Sequence, residues 1–168
     1  MKIPTLYIFS GLPGSGKSTL AKELAKRTQS TLIRIDTIEQ GLRDLCNYKV
    51  EGEGYGLSYR VAKDNLELGR DVIADSVNPW KLTRSEWNEV ATSVGAKYVN
   101  IEVCCSDQAE HRRRVESRRV GIETLKLPTW ENVINRDYHE WTEPRILIDT
   151  AGESVEESFN RLFDALND

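Results

Sequence analysis

The chain has 168 residues, 39% apolar and 30% charged, with a net charge of −4. That length suits one domain with one sizeable core, and the acidic balance argues against a dedicated nucleic-acid binder. No apolar run approaches the length of a membrane span, and Cys46, Cys104 and Cys105 form no paired framework, so a reducing, cytoplasmic setting is expected. Met1-Lys2 leads straight into a strand-like run, with no signal-peptide pattern.

Thr5-Leu6-Tyr7-Ile8-Phe9 is continuously apolar, as in a strand covered on both faces. It runs into Gly11-Leu12-Pro13-Gly14-Ser15-Gly16-Lys17-Ser18-Thr19, which fits G-x-x-x-x-G-K-S. Glycines allow the tight turn, consecutive N–H groups then point at phosphate oxygens, and the following helix aims its positive end at the same anion. Gly11 to Thr19 are therefore the expected nucleotide contacts. Lys17 is placed to reach the β- and γ-phosphates and the Ser18 hydroxyl to bind Mg²⁺.

Ser18 to Arg27 reads as a helix with Leu20, Ala21, Leu24 and Ala25 on one face. Thr31 to Asp36 is a second strand ending in a carboxylate, followed by a short helix marked by Ile38, Leu42 and Leu45. Asn47 to Gly56, with three alternating glycines, reads as a loop, either a plain connection or a mobile flap. A helix from Leu57 to Leu68 is capped by Gly69. Asp71 to Asp75 is the third strand, Asn78-Pro79 a turn, and Trp87, Val90, Ala91 and Val94 mark a helix stopped by Gly95.

Lys97 to Cys105 is the fourth strand. Asp107 to Arg119 has helical propensity, but Ala109 and Val115 are its only apolar residues, so it offers no normal core face. After the break at Leu127-Pro128-Thr129, Trp130, Val133, Ile134, Tyr138 and Trp141 predict another amphipathic helix. Arg145 to Asp149 is the fifth strand, and the last helix carries Val155, Phe159, Leu162, Phe163 and Leu166 on one side. Alternating strands and helices predict an α/β fold, a parallel sheet covered on both faces. Ligands in such sheets sit beyond the carboxyl ends of the strands, which puts Gly11, Asp36, Asp75 and Asp149 on one rim.

G-L-P-G-S-G-K-S-T, with R-I-D ending at Asp36, V-I-A-D ending at Asp75 and R-R-R-V-E-S-R from Arg112 to Arg118, resembles the small P-loop kinases. These include gluconate kinase, chloramphenicol phosphotransferase, adenylylsulfate kinase, zeta-type toxins and the kinase part of phage polynucleotide kinase. The resemblance implies a single three-layer P-loop domain over residues 1–168, with a five-stranded parallel sheet ordered 2-3-1-4-5. It implies transfer of the ATP γ-phosphoryl group to an acceptor, with Asp36 beside the acceptor hydroxyl. It also implies an arginine-rich lid at about 106–128, with Arg114 and Arg118 as its catalytic arginines, and an adenine bordered by the loop after the fifth strand. Some relatives, such as shikimate kinases, carry Asp-x-Asp after strand two. Here the pattern is Arg34-x-Asp36, so the division of labour between Asp36 and Asp75 stays open.

Asp36 is the candidate for orienting or deprotonating the acceptor hydroxyl; its competing role is a helix N-cap. Asp75 could hold Mg²⁺ through water or bind the acceptor; its competing role is a turn carboxylate at Ser76. Arg112, Arg113, Arg114, Arg118 and Arg119 are too dense for an ordinary solvated face, and on a helix Arg114 and Arg118 share one side. Their competing role is a nucleic-acid patch or a merely soluble helix. Arg34, Arg43, Asn78 and Arg84 flank the second and third strand ends and would suit a polar or anionic acceptor, or be ordinary surface residues. Asp149-Thr150-Ala151-Gly152 has the D-x-x-G of GTPases, but no N-K-x-D accompanies it. His111 and His139 lack metal-ligand spacing and read as surface residues.

The expected activity is an ATP- and Mg²⁺-dependent kinase for a hydroxyl of a small polar molecule, acting as monomer or homodimer without membrane or nucleic-acid partners. The alternatives are a polynucleotide 5′-kinase and a nucleotide-dependent switch or assembly ATPase. Against a polynucleotide, no aromatic residues interleave with the basic ones as a stacking platform requires.

Overall fold

The computed structural model describes residues 3–167; the expectation drawn from Met1-Lys2 lies outside them. The five runs rich in Val, Ile and Leu form β1 (Thr5–Ser10), β2 (Thr31–Arg34), β3 (Val72–Asp75), β4 (Lys97–Cys104) and β5 (Ile146–Asp149). All pairs are parallel, in the order β2-β3-β1-β4-β5 expected from the resemblance. Between and after them lie α1 (Lys17–Thr28), α2 (Ile35–Cys46), α3 (Glu53–Glu67), α4 (Lys81–Thr92), α5 (Gln108–Ser117), α6 (Trp130–Ile134) and α7 (Val155–Asn167). None of the described helices is long and apolar enough to cross a membrane.

Successive strand residues point to opposite faces, so each central strand feeds two cores. Leu6, Ile8, Ile33, Val72 and Ala74 pack with Ala62 and Leu66 of α3 and Trp87 and Ala91 of α4. Phe9, Ile73, Ile101, Val103 and Ile148 pack on the other face with Leu20 and Leu24 of α1 and Leu162 of α7. This is the three-layer arrangement. In the register, Asp75 lies opposite both Phe9 and Arg34, so β1, β2 and β3 end level with one another.

Three elements depart from the sequence reading. The second strand stops at Arg34, and Asp36 already sits in the first turn of α2. Its expected alternative as N-cap is therefore excluded: Arg34 occupies that position, without a side-chain cap. Helix α3 begins at Glu53, inside the expected loop, which shrinks to residues 47–52. Glycine is a poor helix former, but Gly54 faces Glu39 of α2 so closely that any Cβ would overlap that side chain. Close approach of the two helices decides the residue there. Finally, α6 opens with a capping box between Thr129 and Asn132 but ends at Ile134 instead of running to Trp141. Trp141 lies under the guanidinium of Arg84, 4.0 Å from its ring centre, and the chain leaves the helix to deliver it there.

Trp87 is fully buried and meets Tyr59 edge-on at 4.6 Å. Trp87→Ala should destabilise the fold by ~3–5 kcal/mol through lost transfer energy and the cavity left behind. Urea unfolding monitored by far-UV circular dichroism measures it; a change under ~1 kcal/mol would refute this packing.

Candidate active site

The turn from β1 to α1 is fixed by its neighbours. The Gly11 N–H donates to the Val77 carbonyl at 3.1 Å, joining the turn to the chain leaving β3. Gly14 has φ 81 and lies against α5, where a Cβ would stand 2.6 Å from Val115 Cγ2. Gly16, with φ 96, is the N-cap of α1, and no side chain caps that helix end with a hydrogen bond.

Lys17 follows. Its ammonium is almost fully buried and lies 2.7 Å from Asp75 Oδ1 at the tip of β3. Burial pushes the Asp75 carboxyl up, but Lys17, a hydrogen bond from Ser18 and the charge of Arg34 together hold it below the usual carboxylate range. Arg34 Nε stands 3.9 Å from Asp75 Oδ2. Lys17, Ser18, Arg34 and Asp75 thus form one charged cluster. Asp75 is no mere turn carboxylate.

Lys17, Ser18 and Arg34 of this cluster line a cleft of ≈ 880 Å³, while Asp75 is buried and is not one of its lining residues. One end is lined by residues 12–19, Arg114, Thr150, Glu153 and Ser154, the other by Arg34, Asp36, Glu39, Gln40, Arg43, Asn132 and Arg136. Residues 117–120 and 124–128 line the space between. At the second end Asp36 is exposed on the first turn of α2. Glu39 is held above the usual carboxylate range, first by burial and also by Asp36, against the pull of Arg43 and Arg136. Two hydrogen bonds join the segment after α5 to this end: Arg34 Nη2 donates to the Val120 carbonyl at 3.3 Å, and the Thr124 hydroxyl donates to Asp44.

Arg114 and Arg118 both line the cleft but do not share a helical face, because α5 ends at Ser117 and Arg118 is extended, with ψ 153. Arg114 is engaged on three sides, with Thr150 Oγ1 at 2.7 Å, the Thr150 carbonyl at 2.9 Å and Glu110 Oε1 at 2.5 Å. Arg118 Nε is buried without a hydrogen-bond partner. Burial lowers the Arg118 pKa, and the nearby Asp36 carboxylate opposes that. Arg112 pairs with Glu116 at the surface.

Several expected contacts lie elsewhere. Arg84 is no acceptor contact: it is 1% exposed and bonds the carbonyls of Asn78, Pro79, His139 and Glu140. Asn78 is fully buried on Ser10. His111 is not a surface residue; its Nε2 lies 2.8 Å from the Pro13 carbonyl and its ring meets Trp130 edge-on. His139 is half-buried, its Nδ1 accepting from the Lys81 N–H. Asp149 accepts from the Ser106 and Ala151 N–H groups and so shapes its own turn. Among the described residues no group of three or more His, Cys, Asp or Glu could hold a metal. Sequence reading missed Glu39, Arg136 and Thr150. Only Thr150 gave a signal, by following the last strand on the ligand-bearing rim.

The sequence profile of a family described as an AAA domain matches residues 6–131. The chain is 28% identical to an adenylyl-sulfate kinase of Oceanobacillus iheyensis over 95% of this chain and 82% of that one. Its fold is similar to that of the Mycobacterium tuberculosis APS kinase in complex with AMPPNP and APS, with a TM-score of 0.76 and 18% identity over the full length of both. It is also similar to a gluconokinase from Sinorhizobium meliloti 1021, with a TM-score of 0.71 and 14% identity over 99% of this chain and 94% of that one.

Removing the Arg84 side chain leaves buried carbonyls without donors. Arg84→Ala should cost about 3 kcal/mol of stability. The midpoint of thermal unfolding reports it; an unshifted midpoint would return Arg84 to a surface or ligand role.

Proposed function

The chain belongs to the AAA-domain family of P-loop kinases, and we propose that it transfers the γ-phosphoryl group of ATP to a hydroxyl of a small polar acceptor. The observation that carries this reading is the single cleft running from the glycine turn, past the Lys17–Asp75–Ser18 cluster, to α2. Phosphoryl transfer asks for positioning and charge neutralisation, and this cleft supplies both.

In this reading Gly11 to Thr19 cradle the ATP phosphates. Lys17 exchanges its carboxylate partner for β- and γ-phosphate oxygens, so its charge is never left unpaired in a dry site. Ser18 and Asp75 suit Mg²⁺, which favours hard oxygen donors and keeps waters and substrate phosphates in its shell. When bound, the cation neutralises charge on the phosphates. Asp36, exposed at the far end, orients the acceptor hydroxyl and takes its proton. Arg118 meets the transferring oxygens, and Arg114 stands at the same side of the cleft. Arg34, Arg43 and Arg136 stand beside Asp36 and Glu39 at the acceptor end, with Arg34 also facing Asp75 and Arg43 paired with Glu39, which suits a polar acceptor. The matched kinases named above support a small-molecule acceptor. The exposed α5 arginines are few and partly paired, which gives a polynucleotide backbone little to track.

A panel of hydroxylated metabolites, scored by ADP formation, tests the reading. ADP release should depend on one class of added acceptor; release independent of every acceptor would favour a switch ATPase. Lys17→Ala should abolish turnover while the protein stays folded. Asp36→Asn should lower kcat by ~10²–10⁴-fold with little change in ATP affinity; unchanged transfer would move the base to Asp75. Arg118→Ala should lower kcat by up to ~10³-fold, more than it weakens ATP binding.

A further inference from the structure

Thr150 is one residue past β5, 95% withdrawn from solvent, and its hydroxyl is shared by three parts of the molecule. It accepts a hydrogen bond from Arg114 Nη1 of α5 at 2.7 Å. Its single proton is within reach of the Ser15 carbonyl of the glycine turn, at 2.7 Å, and of the Cys104 carbonyl at the end of β4, at 3.0 Å, the shorter contact being to Ser15. Its methyl group lies against Gly16, 3.4 Å from where a Cβ would stand. The guanidinium that bonds the hydroxyl also holds the Thr150 carbonyl and Glu110, and Glu110 accepts the Gly152 N–H at 2.8 Å.

A hydroxyl that accepts from a cation becomes a stronger donor, because hydrogen bonds in a chain polarise one another. We propose that Thr150 is a positioning residue of the phosphate loop: with Arg114 as its donor it sets the Ser15 carbonyl, and hence the direction of the N–H groups around it. The proposal rests on the nucleotide site above and refines it. Arg114 serves the loop through Thr150 and does not reach the reacting phosphoryl group. α5 becomes a fixed wall of the site, bonded to the glycine turn through His111 and Pro13 as well. Beyond α5, Arg118 is extended and its buried guanidinium Nε has no hydrogen-bond partner.

Thr150→Val keeps the shape and removes the hydroxyl; Thr150→Ser keeps the hydroxyl. Amide hydrogen exchange of residues 11–19 in the nucleotide-free protein reads the loop directly. Thr150→Val should speed it by about tenfold or more relative to the sheet, the effect of leaving a buried acceptor unmet, and Thr150→Ser should restore it. The same variants should raise and restore the MgATP dissociation constant. Arg114→Met should add little to Thr150→Val in both readouts and in kcat, since both break one relay. Unchanged loop exchange in Thr150→Val, a rise shared equally by the whole sheet, or failure of serine to rescue would overturn the proposal. Fully additive losses in kcat would return Arg114 to direct contact with the reacting group. A wild-type protein that binds no MgATP would remove the nucleotide reading, while loop exchange would still decide the role of Thr150.

Discussion

A buried ammonium must be answered by a buried carboxylate, and the Lys17–Asp75 pair is where this molecule meets that demand. Neither charge could be taken from water alone without a cost of several kcal/mol. The pair therefore requires β1 and β3 to be neighbours, so that the end of one strand and the start of the helix after the other meet. Parallel pairing supplies that, with Phe9 opposite Asp75. The position of Lys17 in the first turn of α1 then follows from the glycine turn, which leaves too few residues for the helix to begin elsewhere.

Other elements close around this centre in layers. The Val77 carbonyl ties the glycine turn to the chain leaving β3, and Asn78 in turn bonds Ser10 at the end of β1. Arg84 clamps the carbonyls of Asn78 and Pro79 to those of His139 and Glu140, with Trp141 and Tyr138 beneath its guanidinium. Burial lowers the Arg84 pKa, and Tyr138, Glu102 and Glu143 oppose that, while the carbonyl dipoles and ring faces that touch the guanidinium also present negative potential. The irregular chain from 135 to 145 thus has a physical purpose: it brings acceptors to a buried donor.

The sequence carried the sheet, its layers and the glycine turn because those depend on local pattern. Apolar runs of strand length and a phosphate-loop spacing need no knowledge of distant residues. What escaped it depends on partners far along the chain. Gly54 reads as a loop residue until Glu39 is known to lie against it. Trp141 reads as the next apolar position of a helix until Arg84 claims it. His111 reads as a surface residue because its contacts are a backbone carbonyl almost a hundred positions earlier and the ring of Trp130. Arg84 and Asn78 read as ligand contacts because strand ends are where ligands bind, yet the same strand ends also need internal donors and acceptors. Of the charged candidates that do line the cleft, Lys17 comes from the glycine turn's helix, Arg114 and Arg118 from α5 and its end, and Arg34, Asp36 and Arg43 from β2 and α2.

The two ends of the cleft are built to different standards of rigidity. At the glycine turn, almost every constraint is a backbone carbonyl or N–H held by a buried partner: Gly11 by Val77, Pro13 by His111, Ser15 by Thr150. Such contacts fix the path of the turn through its own backbone, with the His111 and Thr150 side chains holding two of its carbonyls. Along α2 the constraints are between side chains, as in Gln40 with Asp44 and Arg43 with Gln40 and Glu39. Of these, the exposed Arg43–Glu39 ion pair contributes little to stability, whereas the two bonds of Gln40 are half-buried. Exposed side chains on α2 and on the segment that Arg34 and Asp44 hold against it can therefore change while the turn around Lys17 stays as it is.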